Sequence, residues 1–468
     1  MSRFHPRAAV DHDACGVGFI AQLGSAGSRE VIERALVAVG RLAHRGGVDA
    51  DGLSGDGAGL LLPIPKEFFR SRAAQAGVEL PAEFGVGMAF LGAAQKDHAR
   101  ATVEKCAAEF RLRCCWWRHV PVDSSLLGPR ASATLPLIHQ YFFSVQDQST
   151  DLERALFLLR KRIEAECPTG IYFCSLSSHS IVYKGLLAPL QLRQFYPDLG
   201  DPGFLASFAL FHQRYSTNTR PTWMLAQPFR FVAHNGEINT IGANRRWMDA
   251  REGALRRELL VGESFHSLEV GVSDSASFDN ALEILLHRGY SPAAAMLRMV
   301  PPAWESDHKL DPEMRHFLER EARAQEPWDG PAAMVFSDGR MVGAKLDRNG
   351  LRPLRYTLTA DGLLIVGSEA GLADFDGKKV AERQRLGPGE MLLAHPASGT
   401  LYRGNDISSL LTTGGAARAA FSAATRIEPA EEPPSAVTPE PRRIAAALGW
   451  TEDQFRLLFQ PLGLEGKE

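Results

Sequence analysis

Apolar residues fall along this chain in two recurring patterns: short blocks bounded by glycine or proline, and stretches spaced three and four apart. A strand is expected to open at Cys15-Gly16-Val17-Gly18-Phe19. After Ser28, a good helix-capping residue, Val31, Ile32, Ala35, Leu36, Val39 and Leu42 recur at helical spacing up to His44-Arg45-Gly46-Gly47. Residues 60–63, 86–91, 138–145, 174–183, 208–214 and 229–233 read as strands, and 152–167 and 278–287 as helices. Two late hairpins pair 332–336 with 341–346 across Asp338-Gly339, and 355–359 with 363–367 across Asp361-Gly362. Helices early and hairpins late predict an α+β fold with antiparallel sheets covered by helices, not a doubly wound parallel sheet.

Composition narrows the class. With 468 residues, 45% hydrophobic and 23% charged, the chain is that of a soluble globular protein with room for two to four domains. A net charge of -3 and a pI near 6.6 offer no basic field for nucleic acid or anionic lipid. No apolar run approaches the roughly 18 residues of a membrane helix. The six cysteines form neither a CxxC pair nor zinc-like Cys/His spacing, and the N-terminus has no apolar signal core, so a reduced, cytoplasmic protein is expected. Residues 1–14 are polar and read as a removable leader, with a frayed terminus or a His-bearing metal tail as the other readings. A globular unit is expected over 15–411 and a Pro/Ala/Glu-rich linker over 412–441. Residues 442–468 read as the start of a further domain, with Thr451-Glu452-Asp453-Gln454 a capping box.

The candidate chemistry begins at Cys15. Once the leader is removed, this residue carries a thiol, pKa about 8.5, and an α-amine of pKa about 7.7 to 8.0 that can take the thiol proton. The other reading is a small apolar residue opening a buried strand. Ser54-Gly55-Asp56-Gly57-Ala58-Gly59 fits a tight turn better than a phosphate loop. Asn235-Gly236 can be a plain hairpin turn, and Asp274 a helix-capping acid. Cys114-Cys115-Trp116-Trp117 reads as packing.

Eight ordered motifs carry a resemblance: CGVGF at 15–19, HRGG at 44–47, GDGAGLL at 55–61, HQRYSTNT at 212–219, LAQPFRFVAHNGEINT at 225–240, SDSASFDN at 273–280, EPWDGPAA at 326–333 and LDRNGLRPLRY at 346–356. From Cys15 to about Asp406 the chain resembles the class II glutamine amidotransferase domain of the glutamate synthase large subunit. The resemblance implies an N-terminal nucleophile (Ntn) hydrolase fold, a four-layer αββα arrangement with two antiparallel sheets. It implies that Cys15 attacks the side-chain amide of L-glutamine and that its α-amine shuttles the proton. It assigns the oxyanion to the Asn235 amide and the Gly236 N–H, the substrate α-carboxylate to Arg214 and its α-ammonium to Asp274.

Arg45 matches a motif near the nucleophile and is left between a site role and a structural one. His212 and His234 are read as packing or hydrogen-bonding residues because the α-amine already supplies a base. Arg348 and Arg352 are expected to fix loops through ion pairs. The resemblance places FMN and an iron–sulfur cluster on synthase domains absent from this chain, so no cofactor or metal is expected here. The expected partner is a glutamate synthase central or FMN domain or subunit, where ammonia would aminate 2-oxoglutarate. The competing readings are a non-catalytic glutamine-binding module or inactive fragment, and a glutaminase serving another acceptor.

Overall fold

A computed structural model describes residues 15–49, 51–95, 98–167, 170–214, 221–259, 261–262, 265–411 and 440–465. The leader at 1–14, nearly all of the expected linker at 412–441, and Tyr215–Thr219 of one motif lie outside them. The chain divides into two compact units, with the boundary between Thr413 and Gly414. The smaller unit contains the helix Pro441–Ala447 and a capping box in which Thr451 and Gln454 satisfy each other's backbone N–H.

Sixteen strands run in chain order as β1 (Gly16–Gln22), β2 (Ala58–Pro63), β3 (Gly85–Leu91), β4 (Leu112–His119), β5 (Leu137–Val145), β6 (Ile171–Ser177), β7 (Ser180–Gly185), β8 (Phe208–Gln213), β9 (Val232–Gly236), β10 (Ala332–Ser337), β11 (Val342–Leu346), β12 (Arg355–Thr359), β13 (Leu363–Gly367), β14 (Val380–Arg385), β15 (Met391–His395) and β16 (Thr400–Arg403) among the described residues. They form a seven-stranded sheet in the order β14-β12-β13-β1-β8-β2-β7 and a five-stranded sheet in the order β16-β15-β11-β10-β9. A third sheet, β4-β5-β3-β6, adds to the two that the sequence led us to expect. Every ladder is antiparallel.

The layers follow from which face each element buries. Ser28 caps the helix Arg29–Arg41 through the Val31 N–H, and its apolar stripe covers β1 and β8. On the other face of the seven-stranded sheet, β1 meets β9, β10 and β11 of the five-stranded one. Val17 and Phe19 share a core there with Ala233, Ala333, Val335 and Ala344. The outer face of the five-stranded sheet, including Val232, Met334 and Phe336, is closed by the helices Asp274–His287, Pro292–Met299 and Pro312–Ala324. The order is therefore helix, sheet, sheet, helix. The helices Ala99–Glu109 and Leu152–Glu166 cover the third sheet.

Three expectations are corrected. The single strand read at 174–183 is two strands in different sheets, β6 beside β3 and β7 beside β2, because Glu153 accepts from the Ser177 hydroxyl and the Ser178 N–H and holds the bend between them. The strand read at 229–233 begins later, at Val232, because Asp279 captures the N–H groups of Arg230, Phe231 and Val232 at its entry. Asn235-Gly236 makes no hairpin turn; the two residues pair with Ala333 and Ala332 of β10.

Glycine in β1 records how closely its neighbours approach, the helical layer at Gly16 and the adjacent strands of its own sheet at Gly18. A Cβ on Gly16 would meet Leu42 of the helical layer at 2.8 Å, and one on Gly18 would overlap the Val366 carbonyl and lie 2.8 Å from the Phe211 ring. Gly18→Ala is therefore expected to cost about 1–3 kcal/mol of stability through overpacking, read as a lower urea midpoint. An unchanged midpoint would show that this sheet has slack.

Candidate active site

The ladder between β1 and β8 creates the first pairing of functional groups. Its register sets Gly16 opposite Gln213, so Cys15, just before β1, and Arg214, just after β8, stand at adjacent strand ends. Alternation turns Gly16 toward the helix Arg29–Arg41 and Cys15 with Val17 toward the five-stranded sheet. Arg214 has φ +89, and its N–H donates to the Gly57 carbonyl at 2.8 Å. A backbone angle that suits glycine, held by an arginine, costs about 1–3 kcal/mol and marks a position kept for its side chain. The Ser54–Gly59 segment shows the expected close backbone approach, with Gly57 at φ +135 and a Cβ on Gly55 overlapping the Ala188 N–H, but the turn itself comes earlier, where the Gly52 N–H bonds the Asp49 carbonyl.

The facing sheet brings the amide pair. Asn235 is 2% exposed, and its Oδ1 has no hydrogen-bond partner among the described residues. Gly236 has φ +138, and a Cβ there would overlap the Pro331 carbonyl oxygen, so no other residue fits without moving β10. Asp274 opens the helix Asp274–His287, but the cap is Ser273, whose hydroxyl accepts from the Ala276 N–H. The Asp274 carboxylate instead accepts from the Ser275 N–H at 2.8 Å and the Ile238 N–H at 3.0 Å.

Electrostatics tie these groups together. Cys15 is 6% exposed, and burial pushes its thiol up to about 11; Arg214, then Arg352, pull it down, and Asp274 pushes it up. The thiol is therefore protonated near neutral pH and needs a base at the moment of attack. A guanidinium and a carboxylate both act on the sulfur, an arrangement complementary to a zwitterionic α-amino acid. Arg352 was expected only to fix a loop, and its effect on the thiol is a property of the folded chain that no local pattern signals. Arg348 does pair with Asp329 as expected of a loop residue.

The remaining candidates separate in the same way. Arg45 and His44 both pair with Glu369, next to Ser368, which bonds Val17 in β1; the HRGG segment is thus pinned beside the nucleophile strand. Burial pushes His212 down to about 3, and its Nε2 bonds the His234 carbonyl at 3.2 Å, so it stays neutral. His234 Nε2 lies 3.1 Å from the Ser275 hydroxyl. Asp279, one turn further along the helix, was missed by sequence reasoning. Burial raises it to about 6 against the pull of Arg230, leaving it mainly a carboxylate at neutral pH. A cavity of about 870 Å³ lined by residues such as Phe90, Tyr172, Trp223, Phe229 and Arg230 includes none of Cys15, Arg214, Asn235, Gly236 or Asp274, so volume is a poor guide to the chemistry here. The described residues gather no group of three or more His, Cys, Asp or Glu that could hold a metal, and no helix among them is long and apolar enough to cross a membrane.

Comparison with known proteins adds a family. The model of the class-II glutamine amidotransferases matches residues 15–414, starting at Cys15. The NADPH glutamate synthase large chain of Azospirillum brasilense is 39% identical over 98% of this chain and 32% of its own length. The chloroplastic ferredoxin-dependent glutamate synthase of Oryza sativa is 40% identical over 98% of this chain and 30% of its own. This chain thus spans about a third of the length of these curated relatives. Among solved structures, the allosteric regulatory enzyme of purine biosynthesis aligns with a TM-score of 0.39 at 14% identity, covering 83% of this chain and 48% of that one.

Because the two arginines favour the thiolate, Arg352→Met should move the Cys15 alkylation profile to higher pH. At fixed pH, iodoacetamide should react roughly two- to five-fold more slowly, the size expected of one partly screened charge. An unmoved profile would show that Arg352 does not act on the sulfur.

Proposed function

This chain belongs to the class-II glutamine amidotransferases, and from that premise we propose that it hydrolyses L-glutamine through a Cys15 thioester and supplies the ammonia to glutamate synthesis. The observation that carries the reading is the coupling of the Cys15 thiol to Arg214 and Asp274 at once. These two charges match the α-carboxylate and α-ammonium of a free amino acid.

In this reading, removal of residues 1–14 frees the Cys15 α-amine, which takes the Sγ proton as sulfur attacks Cδ of the bound glutamine. The carbonyl oxygen becomes an oxyanion held by the Asn235 Nδ2 and the Gly236 N–H, donors placed before charge appears. As the intermediate collapses, the Cδ–N bond breaks, the leaving nitrogen takes the proton from the amine, and ammonia departs. The α-amine then deprotonates a water that attacks the thioester; the Cδ–Sγ bond breaks, sulfur regains its proton, and glutamate leaves. A protonated, buried thiol suits this sequence, because the nucleophile is generated only when base and substrate are both in place.

The wider role rests on the relatives named as glutamate synthases. We assign the ammonia acceptor, 2-oxoglutarate, and the FMN and iron–sulfur chemistry to a synthase portion outside this sequence, and we place the protein in the cytoplasm. No step here runs through those groups.

Cys15→Ala should reduce glutamate release to background with the fold intact by circular dichroism, and turnover at the unaltered rate would end the proposal. Asp274→Asn and Arg214→Lys should raise KM for glutamine by roughly ten-fold or more, each losing one charge-assisted or two-pronged contact. The intact mass of active protein should correspond to a chain beginning at Cys15.

A further inference from the structure

β9, the strand carrying Asn235 and Gly236, is the edge of its sheet, with β10 on one side only. Its backbone N–H groups alternate in direction. Glu237 donates to Pro331 on the β10 side, and Ala332, opposite Gly236, turns both its N–H and its carbonyl to Asp347. The N–H groups of residues 232, 234, 236 and 238 therefore belong to the outer edge. Side chains occupy that row. The Asp279 Oδ1 accepts from Val232 at 3.1 Å and from Phe231 at 2.8 Å. The Gln227 Oε1 accepts from His234 at 3.0 Å, and the Asp274 Oδ2 from Ile238 at 3.0 Å. Gly236 stands between the last two.

We propose that Asp279 and Gln227 are positioning residues for the oxyanion-binding pair, saturating the outer edge of β9 around Gly236 so that its N–H is the donor left for the substrate. An edge strand has no second ladder to fix its height, and a shift of about 1 Å at a reacting centre costs roughly a hundred-fold in rate. Asp279 supplies that missing restraint at the entry of the strand. Gln227 is itself held, its Nε2 donating to the Ser275 hydroxyl at 3.4 Å on the same helix that carries Asp279 and Asp274. One helix thus sets both ends of the strand. Neither Asp279 nor Gln227 touches the reacting atoms in this account; both act through the backbone. The inference rests on the glutaminase reading above.

The test compares Asp279→Ala and Gln227→Met with the unaltered full chain by glutamine hydrolysis, by Cys15 alkylation with iodoacetamide, and by amide exchange of a peptide covering 231–238. The expected result is a kcat lower by roughly ten- to a hundred-fold, with KM within about threefold and the alkylation rate unchanged, because displacement of iodide builds no oxyanion. Exchange in the peptide should be faster. In an Asn235→Ala background the same substitutions should cost less than about twofold, since the donor pair they position is already broken. Asp279→Asn, whose carbonyl still accepts from Phe231 and Val232, should recover kcat to within about threefold of the unaltered chain. Fully additive losses, a raised KM with kcat held, or unaltered exchange would overturn the inference. If Asp279→Ala fails to fold, Gln227→Met carries the comparison. An unaltered chain that hydrolyses no glutamine would remove the glutaminase reading, while the exchange measurement still decides whether these side chains hold β9.

Discussion

The antiparallel ladder between β1 and β8 is the constraint on which the rest of the site depends. Because it pairs Gly16 with Gln213, the start of one strand and the end of the other coincide, and residues nearly two hundred apart in sequence meet as Cys15 and Arg214. A slip of one residue would turn Cys15 to the opposite face, away from the sheet that carries Asn235 and Gly236. Register is defended from several directions at once. β13 pairs with β1 on its other side, Ser368 bonds Val17 at both N–H and carbonyl, and the glycines of β1 admit Leu42 and the adjacent strands too closely for a side chain.

Burial and charge oppose each other at the nucleophile, and burial wins. Arg214 and Arg352 pull the thiol down, yet enclosure still leaves it pushed up to about 11. A site that stabilised the thiolate fully would carry a reactive sulfur in the absence of substrate, exposed to oxidation and alkylation. Here burial keeps the sulfur protonated at rest. The charges that remain match, in the proposed reading, the two ends of a free amino acid. Arg214 accepts a strained backbone to reach the site, and Asp274 shares its carboxylate with the backbone of the strand it faces.

The helix Asp274–His287 carries two carboxylates that hold the backbone at the entry and exit of β9. Its first turn carries Asp274, and its next carries Asp279, which meets the entry of β9 within a buried ionic network that includes Arg230, Glu164 and Glu269. Such a network is a poor source of net stability, because desolvation offsets much of the attraction. Its directional bonds do restrict where the strand can sit. The region behind Asn235 and Gly236 accordingly carries carboxylates and an amide beside an otherwise apolar core of aliphatic and aromatic side chains.

Local pattern alone carried the elements whose signals are local. The helix after Ser28, the two late hairpins with their Asp-Gly turns, and the capping box at Thr451 are set by neighbours within four or five residues, and the structure has each of them. The motifs identified the family and named Cys15, Arg214, Asn235, Gly236 and Asp274 before any contact was known. What the tertiary structure decided was every feature that depends on partners far along the chain. Asn235-Gly236 has the local signature of a turn, but a ladder to β10 made it the end of a strand. Asp274 has the signature of a cap, but Ser273 took that task and left the carboxylate for Ile238. Asp279 and Arg352 lie inside quoted motifs, but nothing local signals their roles, since an acid inside a helix and an arginine in a loop are ordinary until folding brings them to β9 and to Cys15. Sequence reports what a residue prefers within its own turn or strand; the role of a buried charge is set by what is packed against it, and that is fixed only when the layers close.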